Sequence, residues 1–229
     1  MEEWTEDGVL YQMIHESEAD EISSFLFKYF FPDEPIYIGI GYEIDDVVGA
    51  FISEWLVKLL QSHLSFKAVD PVTKETMAIR LNDCSSKQDL PNMAHMIDTL
   101  PAEKKENMKK CAKHLLFLSI LTDQSEFTNL LPADPTKVLE MVMLCTSPNF
   151  RKRGLGSKLV DQTIKFAKRR SYEAIKGCVT GLFSKKIYDK AGFEKLREIQ
   201  YKGYEMDGEE IFVNDMGVHT SGAFYIMKL

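Results

Sequence analysis

Arg151, Lys152, Arg153, Gly154, Leu155 and Gly156 stand together in a chain of 229 residues. Three cations beside two glycines suit one task, the holding of a polyanion. Before them comes an apolar run at 138–144, rich in Val, Leu and Met, then a polar turn at 145–150. After them Leu159, Val160, Ile164 and Ala167 recur at helical spacing. A strand therefore feeds a basic, glycine-bearing turn that opens a helix. The first N–H groups of a helix lack intrahelical partners and carry the positive end of its dipole. Glycine removes the Cβ that would hold a ligand off those groups. A pyrophosphate fits such a turn, and Ser157 extends the donor set. Spacing excludes two other phosphate motifs. A dinucleotide fingerprint needs a third glycine where Leu159 stands, and no Gly-x-x-x-x-Gly-Lys-Ser/Thr is present.

What remains, Arg-x-x-Gly-x-Gly between a strand and a helix, resembles the acyl-CoA-binding motif of the GNAT superfamily of N-acetyltransferases. A second stretch agrees. GLFSKKIYDKAGF at 181–193 resembles the helix after the fifth strand of that family, with its Tyr-x-x-x-Gly-Phe ending at Tyr188, Gly192 and Phe193. Ser184 and Tyr188 are four apart and share a helical face, which in the family looks toward the acyl thioester. More narrowly, the chain resembles the arylalkylamine N-acetyltransferases of the insect dopamine-acetylating type. FFPDEP at 30–35 resembles that group's Asp-Glu-Pro element, whose glutamate is the general base. Thr180 and Ser184 fall where the group has two serines of a proton path, and Thr180 keeps a hydroxyl. The tail from Tyr201 to Thr220 resembles the group's Gly-Glu…Phe…His end and puts His219 near the acceptor. Tyr188 is a departure, since the group often has an apolar residue there.

The resemblance implies direct acetyl transfer from acetyl-CoA to a primary amine, probed first among small arylalkylamines. Glu34 is then the base, with Asp33 as its alternative if the loop turns the other way; the competing reading makes both carboxylates solvated turn residues. Backbone N–H donors of a bulge at Leu144, Cys145 and Thr146 would face the oxyanion. Tyr188 or Ser184 would protonate the leaving thiolate. Cys145 reads as a small apolar strand residue rather than a nucleophile. Tyr37, Gly39, Gly41 and Tyr42 form a glycine-loosened aromatic loop beside the base, suited to an aromatic amine. Protein lysine, a polyamine, or silent acyl-CoA binding are the competing readings, and an intact set of Glu34, Ser184 and Tyr188 argues against silence.

These residues need a scaffold. Strand patterns fall at 9–15, in a hairpin at 64–81 turning at Asp70–Lys74, at 138–144, at 174–180, at 193–206 and at 223–228. Helical patterns fall at 18–31, 44–60, 107–121, after the basic turn and at 182–191, where Gly192 ends the helix. The segment 85–106 is polar and reads as a surface excursion, within a helical or loop insertion at about 85–125. This order predicts a mixed α/β fold, a mostly antiparallel central sheet with helices on both faces, in one domain over 1–229.

Composition narrows the partners. The chain is 45% hydrophobic with a net charge of −7, so a basic face for nucleic acid is not expected. No apolar run reaches membrane-spanning length, and MEEWTEDG lacks a signal-peptide pattern. The four cysteines form no Cys-x-x-Cys pair, and the histidines have no metal spacing, so no metal is expected. A reduced, cytoplasmic protein is the expectation, with monomer as the default state.

Overall fold

The structure is a computed structural model that describes residues 3–84, 93–123 and 130–229. Asp7 and Gly8 both have positive φ, 52° and 73°, the backbone of a two-residue turn whose twist matches its strands. This turn joins β1 (Glu3–Glu6) to β2 (Val9–Met13), and Trp4 stacks on Tyr11 across the pair. β1 is absent from the predicted elements. Next come α1 (Ala19–Tyr29), a 3-10 turn at Phe31–Asp33, α2 (Pro35–Ile40) and α3 (Asp46–Leu60). Asp45 caps α3, accepting the N–H groups of Val47 and Val48 at 3.0 Å each.

The predicted hairpin is β3 (Phe66–Val69) and β4 (Thr76–Cys84). α4 (Met93–Thr99) falls within the expected polar excursion, α5 (Ala102–Leu121) is the expected helix at 107–121 begun earlier, and 85–92 lies outside the described residues. Then follow β5 (Val138–Thr146), α6 (Leu155–Arg169), β6 (Ala174–Val179), α7 (Leu182–Ala191) and β7 (Glu194–Gln200). The predicted strand 193–206 ends early, because the chain turns into a small hairpin of β8 (Glu205–Met206) and β9 (Glu209–Glu210). Its turn is again Asp-Gly, Asp207 and Gly208, at positive φ. β10 (Ser221–Lys228) closes the sheet.

Eight strands form one sheet in the order β1-β2-β3-β4-β5-β6-β10-β7. Every pairing in it is antiparallel except β5 with β6. Alternation along β4 separates two cores: Ile79 and Leu81 join one, Ala78 the other. On the first face α1, α2, α3 and α5 bury Ile22, Leu26, Ile36, Leu56 and Phe117. On the second α6 and α7 bury Leu155, Leu159, Phe166 and Tyr188. Each such side chain contributes about 1.5–3 kcal/mol on burial. The fold class is the expected mixed α/β one.

Candidate active site

The parallel pairing of β5 and β6 begins at Val138–Ala174 and stops at Met141–Gly177. Beyond that rung β5 continues along β4, and β6 along β10. The two strands part, and their facing backbone edges line a wedge. A bulge explains the parting. Leu81 lies opposite Met143 and Asn82 opposite Met141, which leaves Val142 as the extra residue. Such an insertion bends a strand and adds twist. Val142 and Met143 consequently both face the first core. The bulge therefore falls at Val142, not at Leu144–Thr146 where the sequence comparison placed it. Leu144 faces the second core, and Cys145 is buried against the first. Burial pushes the Cys145 thiol up to about 12, against a smaller opposing pull from Arg151. A thiol held in that form is no nucleophile.

At the open end of β5 a 3-10 turn, Pro148–Phe150, leads to the exposed residues Arg151–Gly154. Lys152 and Gly154 take positive φ, 63° and 77°. α6 starts at Leu155, and no side chain caps its first N–H groups. Ser147 Oγ is buried here without a partner. A Cβ on Gly156 would come within 3.3 Å of Ile187 and 3.5 Å of Leu144, so the helix start is packed closely on α7 and β5. Exposed cations, open amides and a side-chain-free approach fit the polyanionic end of an acyl-CoA. Ser157 is exposed in the first turn. Arg153 lies over the Phe150 ring, 5.5 Å from its centre.

Arg151 behaves differently from its neighbours. It pairs with Asp33, and its Nε donates to the Thr146 carbonyl at 3.3 Å. That contact ties the 31–35 turn to the end of β5. The turn's other end reaches the start of α7, just past β6: a Cβ on Gly181, the residue before that helix, would lie 3.8 Å from the Pro35 ring. The turn thus spans the mouth of the wedge with Glu34 between the two anchors. Glu34 is only 4% exposed. Its carboxylate accepts the Tyr37 N–H at 2.5 Å and caps α2. The segment 37–42 is therefore not the loosened loop expected; Pro35 opens a helix that Gly41 ends at φ 69°. Val213 and Asn214 N–H groups clamp this helix through the Gly39 carbonyl, at 2.9 and 3.2 Å.

A set of titratable groups gathers within electrostatic reach of Glu34. His219 Nδ1 accepts the Leu182 N–H at 3.0 Å. An accepting nitrogen carries no proton, so the neutral ring holds its proton on Nε2. Burial lowers the His219 pKa, and Glu34 pulls it back up. Tyr42, expected at the acceptor, is buried and shares a hydrogen bond with His114 Nδ1 at 2.8 Å. Burial lowers His114 and raises Tyr42, Cys178 and Tyr201, and Glu34 acts on all four. Tyr201 donates to the Thr180 carbonyl at 2.7 Å, just past the end of β6. Tyr37 is half-buried against Phe31 and Tyr42. Thr180 and Ser184 are half-buried near the start of α7.

Tyr188 approaches from the opposite face. It is 1% exposed, packed between Phe193 and Tyr225. A Cβ on Gly177 would sit 2.6 Å from its phenol oxygen. The phenol therefore lies under the last paired rung, where the wedge begins. Arg80 Nη2 donates to that oxygen at 2.7 Å. Burial raises the Tyr188 pKa, and Arg80 opposes it. Arg80, Gly177, His114 and Tyr201 are absent from the sequence-derived site. Two had a signal: a cation at an inward position of the apolar run 76–81, and a glycine inside a strand.

A surface pocket of about 500 Å³ borders the outer side of the 31–37 turn, lined by Phe27, Phe31, Tyr37 and Asp45 among others. Its lining includes nothing from β5, β6 or α6, so it is not where a thioester and an amine would meet. Among the described residues, no group of His, Cys, Asp and Glu could hold a metal. None of their helices is long and apolar enough to cross a membrane.

Residues 102–193, which include β5, the basic turn, α6, β6 and α7, match the acetyltransferase (GNAT) family. Several solved structures share the fold. Arylalkylamine N-acetyltransferase 2 of Aedes aegypti is 21% identical, with a TM-score of 0.75 over 97% of this chain and 99% of that one. The Drosophila melanogaster polyamine N-acetyltransferase is 16% identical, with a TM-score of 0.75 over 96% and 100%. The C-terminal condensation domain of Ebony, bound to beta-alanyl-dopamine, is 12% identical, with a TM-score of 0.75 over 96% and 99%. Identities this low establish a shared architecture and nothing finer. The matching stretch holds the basic turn, the wedge strands and the tyrosine helix, and over residues 102–193 the chain is similar to the acetyltransferase (GNAT) family.

Proposed function

We propose that this protein is an acetyl-CoA-dependent N-acetyltransferase whose acceptor is a small primary amine, of the arylalkylamine class. The observation that carries the reading is the placement of Glu34, a buried carboxylate held across the mouth of the β5–β6 wedge. An alkyl amine, with a pKa of about 10.4 like that of lysine, arrives protonated and cannot attack. Glu34 takes its proton, directly or through water. Acetyl-CoA supplies an activated thioester, its pyrophosphate held by the 151–157 turn and Leu144, Cys145 and Thr146 along its path. Amides on the bulged edge of β5 face the carbonyl oxygen as negative charge builds there. As the C–S bond breaks its electron pair goes to sulfur, and Tyr188 gives that sulfur its proton. Thr180 and Ser184 offer hydroxyls between the two ends.

The aryl preference rests on the rim. Phe183 is 64% exposed and meets the His219 ring edge-on. Val218, next in sequence to His219, is 57% exposed. Such apolar surface suits an aromatic ring better than a second ammonium group. Asp33, the carboxylate beside the base, is engaged by Arg151. The relatives of this fold acetylate aryl amines and polyamines alike by their names. A thiol-release screen with acetyl-CoA against dopamine, serotonin, tyramine, octopamine, polyamines and lysine peptides tests the reading. The aryl amines should give the highest kcat/KM. Turnover confined to polyamines or peptides would overturn the acceptor class, and acetyl-CoA binding without turnover would overturn the enzyme.

A further inference from the structure

Arg80 is a guanidinium inside the protein, 2% exposed on β4. Its Nε donates to Asn82 Oδ1 at 3.2 Å and its Nη2 to the Tyr188 phenol at 2.7 Å. Neither partner is anionic. Burying a cation without a carboxylate is costly, and proteins seldom keep one without use. Asn82 is itself fixed, donating to the Leu64 carbonyl at 2.8 Å and to Thr163 Oγ1 at 3.4 Å. The cation is thus aimed by a built network at one oxygen. That oxygen lies under Gly177, at the rung where β5 and β6 part.

An arginine can only donate. The phenol therefore accepts from Arg80, and its own O–H points elsewhere. This is the arrangement of an acid ready to give a proton away from its partner. We propose that Arg80 is the positioning residue of the leaving-group acid: it orients the Tyr188 O–H toward the departing sulfur and stabilises the phenolate left behind. The proposal deepens the functional reading above and rests on Tyr188 being the acid. In the step concerned the C–S electron pair passes to sulfur and the O–H proton follows it. The negative charge moves from sulfur to the phenol oxygen, 2.7 Å from the guanidinium nitrogen. The new amide nitrogen sheds its second proton to solvent, Tyr188 regains one from solvent, and Glu34 releases the first, before the next turnover.

The fit to Arg80 is specific. The other groups acting on Tyr188 are Cys178 and Glu140, and both disfavour the phenolate. Glu140 is bound by Lys176 at 3.1 Å. Tyr225, packed on the ring, gives its O–H to Asp189 at 2.8 Å and is not a donor to Tyr188. Arg80 alone of this surrounding set favours charge on the phenol.

The test pairs two substitutions with two readouts. Arg80→Met should lower kcat at least tenfold while both KM values stay within about twofold, because the residue touches neither substrate. Combined with Tyr188→Phe it should cost nothing beyond Tyr188→Phe alone. Arg80→Lys retains the fold more readily and supplies a charge that burial can remove. A buried ammonium loses its proton where a guanidinium does not, so the alkaline fall of kcat should move to lower pH. In the free protein, with fluorotyrosine replacing tyrosine, the fluorine signal of position 188 should titrate at higher pH in Arg80→Met, or at the lysine's midpoint in Arg80→Lys. An unchanged kcat–pH profile and fluorine titration in Arg80→Lys would overturn the proposal, as would full additivity of the double variant. A Tyr188→Phe enzyme with wild-type kcat would instead remove the acid itself, and that outcome is read independently of either arginine variant.

Discussion

Gly177→Ala puts one methyl group at the root of the wedge. Its Cβ would lie 2.6 Å from the Tyr188 oxygen, 3.0 Å from the ring edge and 3.2 Å from the Met141 carbonyl. The oxygen must retreat by about 0.8 Å to restore ordinary contact at 3.4 Å. It has little room to do so. Phe193 and Tyr225 hold the ring on two sides, and Arg80 holds the oxygen. The Met141 carbonyl belongs to the paired rung and cannot yield without breaking it. Overpacking of this kind costs about 1–3 kcal/mol. For a domain of this size 2 kcal/mol corresponds to a fall in Tm of about 4–8 °C. Displacing an acid by nearly 1 Å costs about 10- to 100-fold in rate. Acetyl-CoA affinity should change by no more than about threefold, because the basic turn lies at the far end of β5. A thermal melt, a thiol-release assay and calorimetry with acetyl-CoA measure the three effects. A folded Gly177→Ala protein with lowered Tm and wild-type kcat would refute Tyr188 as the acid. Unchanged Tm and kcat together would refute the tight packing itself.

Four further outcomes follow from the same geometry. Glu34→Gln keeps an acceptor for the Tyr37 N–H and should lower kcat/KM about 100-fold, with acetyl-CoA affinity unchanged by calorimetry. Tyr188→Phe should slow kcat more than Ser184→Ala, because an alkyl hydroxyl is a far weaker acid than a phenol; steady-state kinetics at one pH rank them. Gly156→Leu should raise the acetyl-CoA Kd at least tenfold, since its Cβ already meets Ile187 at 3.3 Å and Leu144 at 3.5 Å, so a larger side chain must push the start of α6, and the amides it offers, out of place. Glu198 is pulled down to about 2, first by Lys195 and Ser221, from an ordinary 4.5. A lowered carboxylate stabilises the fold above pH 4.5, and that stability drains away as pH falls toward 2. Glu198→Gln should therefore lower Tm at neutral pH and flatten the Tm–pH curve in that window.

The cofactor half of the site was legible because its chemistry is local. Arg151–Gly156 and the strand and helix around it are one continuous stretch, and the helix 182–191 was read to the residue. The acceptor half was harder, because its signals carry two meanings. A proline such as Pro35 can end one helix and is also the favoured first residue of the next, and Gly41 six residues later is a favoured terminator. β1 and the β8–β9 hairpin each carried an Asp-Gly pair between short runs, the strongest local sign of a hairpin. The bulge at Val142 has no composition signature, since β5 is apolar on both sides of it and only its register with β4 reveals the extra residue. Arg80 meets Tyr188 across 108 positions, and no local pattern reports such a contact. Asp33 and Arg151, 118 apart, are joined for the same reason.

Order in the sheet differs from order in the chain. β6 and β7 are made before β10, yet β10 stands between them. Until it arrives, β6 has β5 for one neighbour only along Ala174–Gly177 and nothing on its other edge. A strand carrying Ile175 and Val179 then offers an open edge to other chains. Joining such distant partners is slow, because the loop must close before any contact rewards it. Tyr225 arrives on the same strand and completes the wall around Tyr188, and Ser221 arrives with it to meet Lys185 and Glu198. The acid therefore has no fixed place until the final strand is inserted. During synthesis, maturation of the catalytic pocket and protection from aggregation become a single late event.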